Sequence, residues 1–175
     1  MKLGNPIHEM LARLNRALIT WPDAGNWRFA FLAAVATLAP VAVIGWTGSL
    51  FRPGFDNAGL PLRLLSAFFV PALGEETLFR GLLVPDRSET ARPLPAIALA
   101  TAQFVAWHGV ETLFLRHAAP IFLRPDFLAC AAILGAGCAV IRWRTGSLWP
   151  AVVLHWGAVV VWQTWLGGPN VATLR

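Results

Sequence analysis

Charge is what this sequence has least of. Asp, Glu, Lys and Arg make up 13% of its 175 residues, where an ordinary soluble domain carries roughly a quarter. Apolar residues make up 57%. A chain long enough for one domain cannot hide that much apolar surface in a soluble core, so the bilayer must act as solvent for part of it. Lysine is reduced to Lys2, and the remaining 13 of the 14 basic residues are arginines spread along the chain. The net charge of +5 therefore gathers into no phosphate-tracking face, which argues against nucleic acid as a partner. Loop arginines of a membrane protein instead set topology and meet anionic headgroups. Cysteine is nearly absent as well. Cys130 and Cys138 share one apolar stretch, and on a helix they stand about 12 Å apart along the axis. They cannot pair there and lack metal-ligand spacing, so they read as small core residues. There is no internal repeat and no low-complexity segment. The first 28 residues lack the apolar core of a cleavable signal peptide.

What is present is a series of apolar runs. Residues 6–21 place Ile7, Leu11, Leu14 and Leu18 at helical spacing, with Glu9, Arg13 and Arg16 elsewhere on the wheel. Residues 1–28 thus form an N-terminal amphipathic segment. Its helix either lies in the cytoplasmic interface, apolar face down, or packs on the rest of the protein as a soluble helix. Residues 29–175 form the membrane-embedded domain. Residues 29–51 are 23 without a charge, enough to cross a hydrocarbon core of ~30 Å, with Pro40 as a kink point. Further spans are expected at about 64–84, 95–115, 127–141 and from 148 to before Gly167. The run at 127–141, with 15 uncharged residues, is short for a full crossing. The expected fold is all-α: a polytopic membrane helix bundle of about five transmembrane helices with an N-terminal interfacial helix. Trp21, Trp27, Trp46, Trp143 and Trp149 fall near the span ends, as an aromatic belt would. With a cytoplasmic N-terminus the inner loops hold Lys2, Arg13, Arg16, Arg28, Arg87, Arg92, Arg142 and Arg144. The outer loops hold Arg52, Arg63, Arg116, Arg124 and Arg175, so the basic excess lies inside.

Ionisable groups inside a span cost a few kcal/mol each on insertion scales and mark function. Glu75, Glu76 and Arg80 interrupt the second span, His108 the third and His155 the fifth. At ~1.5 Å per residue from the inner ends, Glu75 and His155 lie about 15 Å deep and His108 about 22 Å. Those depths are compatible with one site near the midplane. Glu76 and Arg80 are i,i+4 with the acid first, the better order for an ion pair. Glu75 points about 100° away. One carboxylate is thereby neutralised by the arginine, and the other is free to act as a general base on water. The plainer reading is a buried Glu–Arg pair that fixes packing, with Glu75 at its solvated edge and the histidines as packing residues. Glu111, three residues past His108, is placed either to orient that imidazole or to be solvated at the span end. His8 and His117 read as interface or loop residues. Glu75, His108 and His155 also make three N/O ligands of the kind a catalytic zinc uses. Yet there is no H-E-x-x-H, and Arg80 beside the glutamates disfavours a dication. No metal and no other cofactor is expected.

Gly74-Glu75-Glu76-Thr77-Leu78-Phe79-Arg80-Gly81 fits an E-E-x-x-x-R motif, and Phe104-Val-Ala-Trp-His108 an F-x-x-x-H motif. Gly146-Ser-Leu-Trp-Pro150 followed by His155 fits the entry to an H-x-x-x-N motif. With these three in order over about residues 62–165, the chain resembles the CAAX-protease and bacteriocin-processing family. The resemblance implies a metal-independent glutamic intramembrane endopeptidase. In it Glu75 and His108 activate water, His155 supports the oxyanion, and Glu76 with Arg80 shapes the site. It also implies membrane lipid and a membrane-anchored protein substrate as partners, in a bacterial inner membrane. The compact chain is similar to bacterial members that cleave C-terminal anchoring tags of exported proteins. One position departs: the family's Asn four residues after the third-motif His is Val159 here. Losing an oxyanion donor costs about 10²–10³ in rate. Gln163, one turn on, faces about 80° away from His155. Either the oxyanion hole is built differently or proteolysis has been lost. Two other classes remain beside the protease: a non-catalytic immunity or scaffold protein on the same bundle, and a transporter using these residues as a proton relay.

Overall fold

The computed structural model describes residues 6–115 and 119–169. Lys2, Arg116, His117 and Arg175 lie outside the described residues. Regular structure among the described residues is all helical. The helices are α1 (Pro6–Ile19), α2 (Ala24–Thr47), α3 (Leu60–Ala67), α4 (Leu94–Glu111), α5 (Ala119–Phe122), α6 (Pro125–Thr145) and α7 (Trp149–Trp165). From Ala67 the α3 rod continues without a break through π-helical turns at Phe68–Glu75 and Thr77–Gly81.

Local chemistry sets the ends of these rods. Asp23 caps α2 by accepting the Asn26 N–H at 2.7 Å. Proline stands in the first turn of α3, α4, α6 and α7, where its missing N–H would have had no helical partner anyway. Gly146, at φ 70°, ends α6 in the left-handed conformation that glycine tolerates.

Loop contacts show how the rods alternate. At one end the last turn of α1, the 82–93 loop and the α6–α7 turn meet. Leu148 N–H donates to Ala17 O and Trp149 Nε1 to Leu18 O, both at 2.9 Å, and Trp143 Nε1 donates to Thr90 O at 3.1 Å. At the opposite end Arg52 N–H reaches Leu166 O at 3.1 Å and Arg124 reaches Gly48 O at 2.6 Å. The rods α2, α3 with its π turns, α4, α6 and α7 therefore pass alternately between two ends, and α6 packs on α2, α4 and α7.

Two helices, α2 and α6, are long and apolar enough to cross a membrane. Only 17% of the apolar window of α2 is buried, and Phe31, Leu32, Val35 and Val43 face outward. An apolar helix exposed on most sides suits lipid rather than water. The fourth run, expected to be short, is the second of these two. Counting uncharged residues stopped it at Arg142, whereas the helix runs to Thr145 and ends only at Gly146. Pro40 lies inside α2 without ending it.

Two arginines expected in loops are buried instead, Arg63 at 1% exposure and Arg142 at 0%. Because α3 begins at Leu60, Arg63 stands in its first turn. There it pairs with Asp56 at 2.6 Å and donates to Gln163 O and Thr164 Oγ1, both at 3.3 Å. Neither arginine is a free topological charge. Helix α1 packs on the rest of the protein through one part of its apolar face. Leu14, Ala17 and Leu18 face the bundle, while Ile7 and Leu11 stay exposed.

Candidate active site

The site begins with a helix that cannot stay α-helical. Pro71 has no N–H for the Ala67 carbonyl, and its ring would clash with that oxygen in a regular α-helix. The chain widens into π turns, which bond i→i+5 and recur at functional sites. Leu82 N–H accordingly donates to Thr77 O, five residues back, at 3.1 Å. Gly74 accommodates the widening, since a Cβ there would lie 3.3 Å from Phe69 O, again five residues back. Through this segment both Glu75 and Glu76 turn inward, at 6% and 0% exposure.

Glu76 is the hub. Its Oε1 accepts Arg80 Nη1 at 3.0 Å and faces His155 Nδ1 at 2.9 Å. The i,i+4 pair expected from spacing is therefore present, fully buried on both sides. A carboxylate already bonded to a guanidinium accepts, so Nδ1 of His155 carries the proton and Nε2 is the nitrogen toward Glu75, 3.9 Å from its Oε2. The Arg80 guanidinium lies over the Phe104 ring, 4.1 Å from its centroid, a cation–π contact that replaces part of its lost hydration. Gly135 of α6 makes room for this. A Cβ there would stand 2.8 Å from Arg80 Nη2 and 2.9 Å from Phe104 Cδ1.

His108 comes from α4, edge-on to Phe104 and packed by Phe122 and Phe127. Its Nδ1 lies 2.9 Å from Phe104 O. A carbonyl only accepts, so Nδ1–H donates and Nε2 is left as an acceptor. Glu111 does not orient this ring. Its carboxyl stands by that of Glu75 on the wall of the same cavity. The reason is geometric: the carbonyl one turn back on α4 already holds Nδ1, and the inward turn at Glu75 brings a second carboxyl to Glu111.

Glu75, His108 and His155 line one cavity of about 140 Å³, together with Glu111, Val159 and Gln163. The similar depths expected from the sequence do meet. Glu76 and Arg80 stand behind this cavity and support it. His8 lies exposed on α1, away from it, and both cysteines are buried and unpaired, as core residues are. Glu111 as the neighbour of Glu75, and Gly135 as the seat of Arg80, were missed from the sequence. The small pair Gly135 and Gly137 in α6 was the available signal, since glycines in an apolar helix mark a close approach. Among the described residues no group of three His, Cys, Asp or Glu is arranged to hold a metal ion.

A family model described as type II CAAX prenyl endopeptidase Rce1-like matches residues 57–161, which include all five of Glu75, Glu76, Arg80, His108 and His155. No curated protein and no solved structure matches the chain.

Proposed function

Since the chain belongs to the Rce1-like family of type II CAAX prenyl endopeptidases, we propose that it is an intramembrane endopeptidase using Glu75 as general base and no metal. The observation that carries this reading is the meeting of Glu75, His108 and His155 from three helices in one largely apolar cavity. A water there has two acceptors, the Glu75 carboxylate and His108 Nε2, and donating a hydrogen to each leaves its lone pair for the scissile carbonyl. As the C–O bond forms, Glu75 takes a proton and the carbonyl oxygen becomes an oxyanion. When the C–N bond breaks, the Glu75 proton passes to the leaving amine. His155, held through Nδ1 by Glu76, presents Nε2 to this centre and stabilises the oxyanion when that nitrogen is protonated. Gln163 is a further donor on the cavity wall. Such fixed donors in a dry site are worth far more than in water.

The five alternating rods are read as five membrane passes, with the N-terminus cytoplasmic and the inner membrane of a bacterium as the location. The Trp21, Trp27 and Trp149 cluster at the α1 end supports an interface there. The substrate is a membrane-anchored protein cut near its C-terminal anchor. A non-catalytic scaffold is the second reading, favoured by one observation: Val159, with no donor, stands on the cavity wall.

The test is cleavage by the full chain in proteoliposomes, with two reporters: one prenylated at its C-terminus, one carrying a C-terminal transmembrane anchor. Cleavage should persist in strong chelator and vanish in Glu75→Gln. Cleavage that requires added zinc overturns the metal-independent mechanism, and cleavage surviving Glu75→Gln overturns the base. A chain inert toward both reporters supports the scaffold.

A further inference from the structure

A second cavity, of about 320 Å³, opens at the end where α1, the 82–93 loop and the α6–α7 turn meet. Arg16 of α1, Arg87 of the 82–93 loop and Arg144 of the last turn of α6 line it, with Asp86, Ser88 and Trp143 between them. Arg87 and Arg144 have no carboxylate partner among the described residues. Their guanidinium groups instead rest on aromatic rings, Arg87 on Trp143 at 5.6 Å and Arg144 on Phe29 at 5.4 Å. Such stacking holds the cations in place without neutralising them. Asp86 is engaged within its own loop, accepting the Ser88 hydroxyl at 2.5 Å and the backbone N–H groups of Ser88 and Glu89. Glu89 is shared by Arg13 at 2.9 Å and Arg16 at 3.1 Å.

Behind Asp86 and Glu89 stands Arg142, fully buried, with all three guanidinium nitrogens lacking a hydrogen-bond partner among the described residues. A buried guanidinium left this way is expensive. Three arginines thus line a polar concavity in which Asp86 is the one carboxylate among the described lining residues, and the unpartnered Arg142 adds a further cation beside Asp86.

We propose that this cavity binds the phosphate headgroup of an anionic phospholipid, which bridges α1, the 82–93 loop and the end of α6. A lipid is favoured over a soluble phosphate by the surroundings. Ile19, on the cavity wall, is 72% exposed, and Trp21 and Leu94 near the same end are exposed as well. Acyl chains can therefore lie along apolar protein surface while the phosphate meets the arginines. The site is remote from Glu75 in the fold and stands whether or not the protein is a protease.

The test uses the purified full chain in detergent with added phosphatidylglycerol or phosphatidylcholine, read by native mass spectrometry and by thermal shift. Phosphatidylglycerol should be retained in preference and raise the melting temperature. Arg87→Gln and Arg144→Gln should each weaken its retention by roughly fivefold, the equivalent of about 1 kcal/mol per basic residue near a headgroup. Arg52→Gln, at the opposite end, should leave it unchanged. The preference in the unmodified chain is itself decisive, whatever the variants' folding. Equal retention of the two lipids overturns the site, as does retention indifferent to both cavity substitutions. Inorganic phosphate that displaces the lipid and reproduces the thermal shift alone assigns the cavity to a soluble anion and overturns the lipid.

Discussion

His155 and Glu76, 79 residues apart, meet at 2.9 Å through Nδ1 and Oε1. The same oxygen holds Arg80, so one carboxylate on the π-helical segment fixes both a histidine of α7 and an arginine of its own turn. Glu75, its neighbour in sequence, hydrogen-bonds neither and meets His155 only at 3.9 Å.

The two glutamates should therefore fail differently. Glu76→Gln leaves Arg80 buried without its counter-charge, a change that costs about 3–5 kcal/mol, and it replaces the charged acceptor of His155 Nδ1–H by a weaker amide one. Its melting temperature and its cleavage should fall together. Glu75→Gln removes one of two carboxyls that face each other, and should abolish cleavage at unchanged or higher melting temperature. Paired thermal melts and single-turnover cleavage check this. A well-folded, inactive Glu76→Gln beside a fully active Glu75→Gln would move the base to Glu76.

Gly135→Ala tests the seat of Arg80. The added Cβ must push on the guanidinium and on Phe104, and overpacking of this kind costs about 1–3 kcal/mol. Cleavage should drop as the Arg80–Glu76–His155 chain shifts. Gly157→Ala, where a Cβ meets nothing within 4 Å, should behave as the parent in both assays.

Val159 and Gln163 test the oxyanion site. Val159→Asn should leave the rate unchanged or raise it, because it adds a donor to the cavity wall. If Gln163 is the donor in use, Gln163→Ala should lower the rate by about 10²–10³, and Val159→Asn should partly restore it. Rates indifferent to both changes would leave the oxyanion to His155 and backbone.

In the loop before α3, the hydrogen bond from Arg63 holds the Asp56 carboxyl below the ordinary aspartate range. A carboxylate lowered in the folded state contributes stability in full above its unfolded value, about 3.9. That contribution is lost as pH falls through the folded value. The melting-temperature gap between the parent and Asp56→Asn should thus be widest near neutrality and close as pH drops below about 4. A gap independent of pH would show that Asp56 acts through packing alone.

The Glu76–Arg80 pair was legible because four residues bring two side chains near each other in a π turn as they do in an α turn. The meeting of Glu75, His108 and His155 was legible from depth, since a fixed rise per residue converts sequence position into height. Height carries no information about direction around an axis, so the approach of Glu111 to Glu75 was out of reach. The π turns arise from Pro71 together with packing, and residue periodicity does not reveal them. Arg63 and Arg142 were misplaced for a related reason. A cation at the edge of an apolar run looks the same whether it faces water or lies beneath a loop, and only tertiary contacts decide.

The docking of α1 sets an order of events during synthesis. Its last turn is held by Leu148 and by Trp149, whose indole bonds Leu18 from 131 residues away. At about 5–20 residues per second, the partner reaches the ribosome exit on the order of ten seconds after α1 does. For that interval Ala17 and Leu18 lack the α7 part of their seat, while Leu14 can already meet Gly81 and Ala17 can meet Ala72 on the earlier-made π-helical segment. The apolar face of α1 is thus filled in two stages, first by the π-helical segment and later by α7.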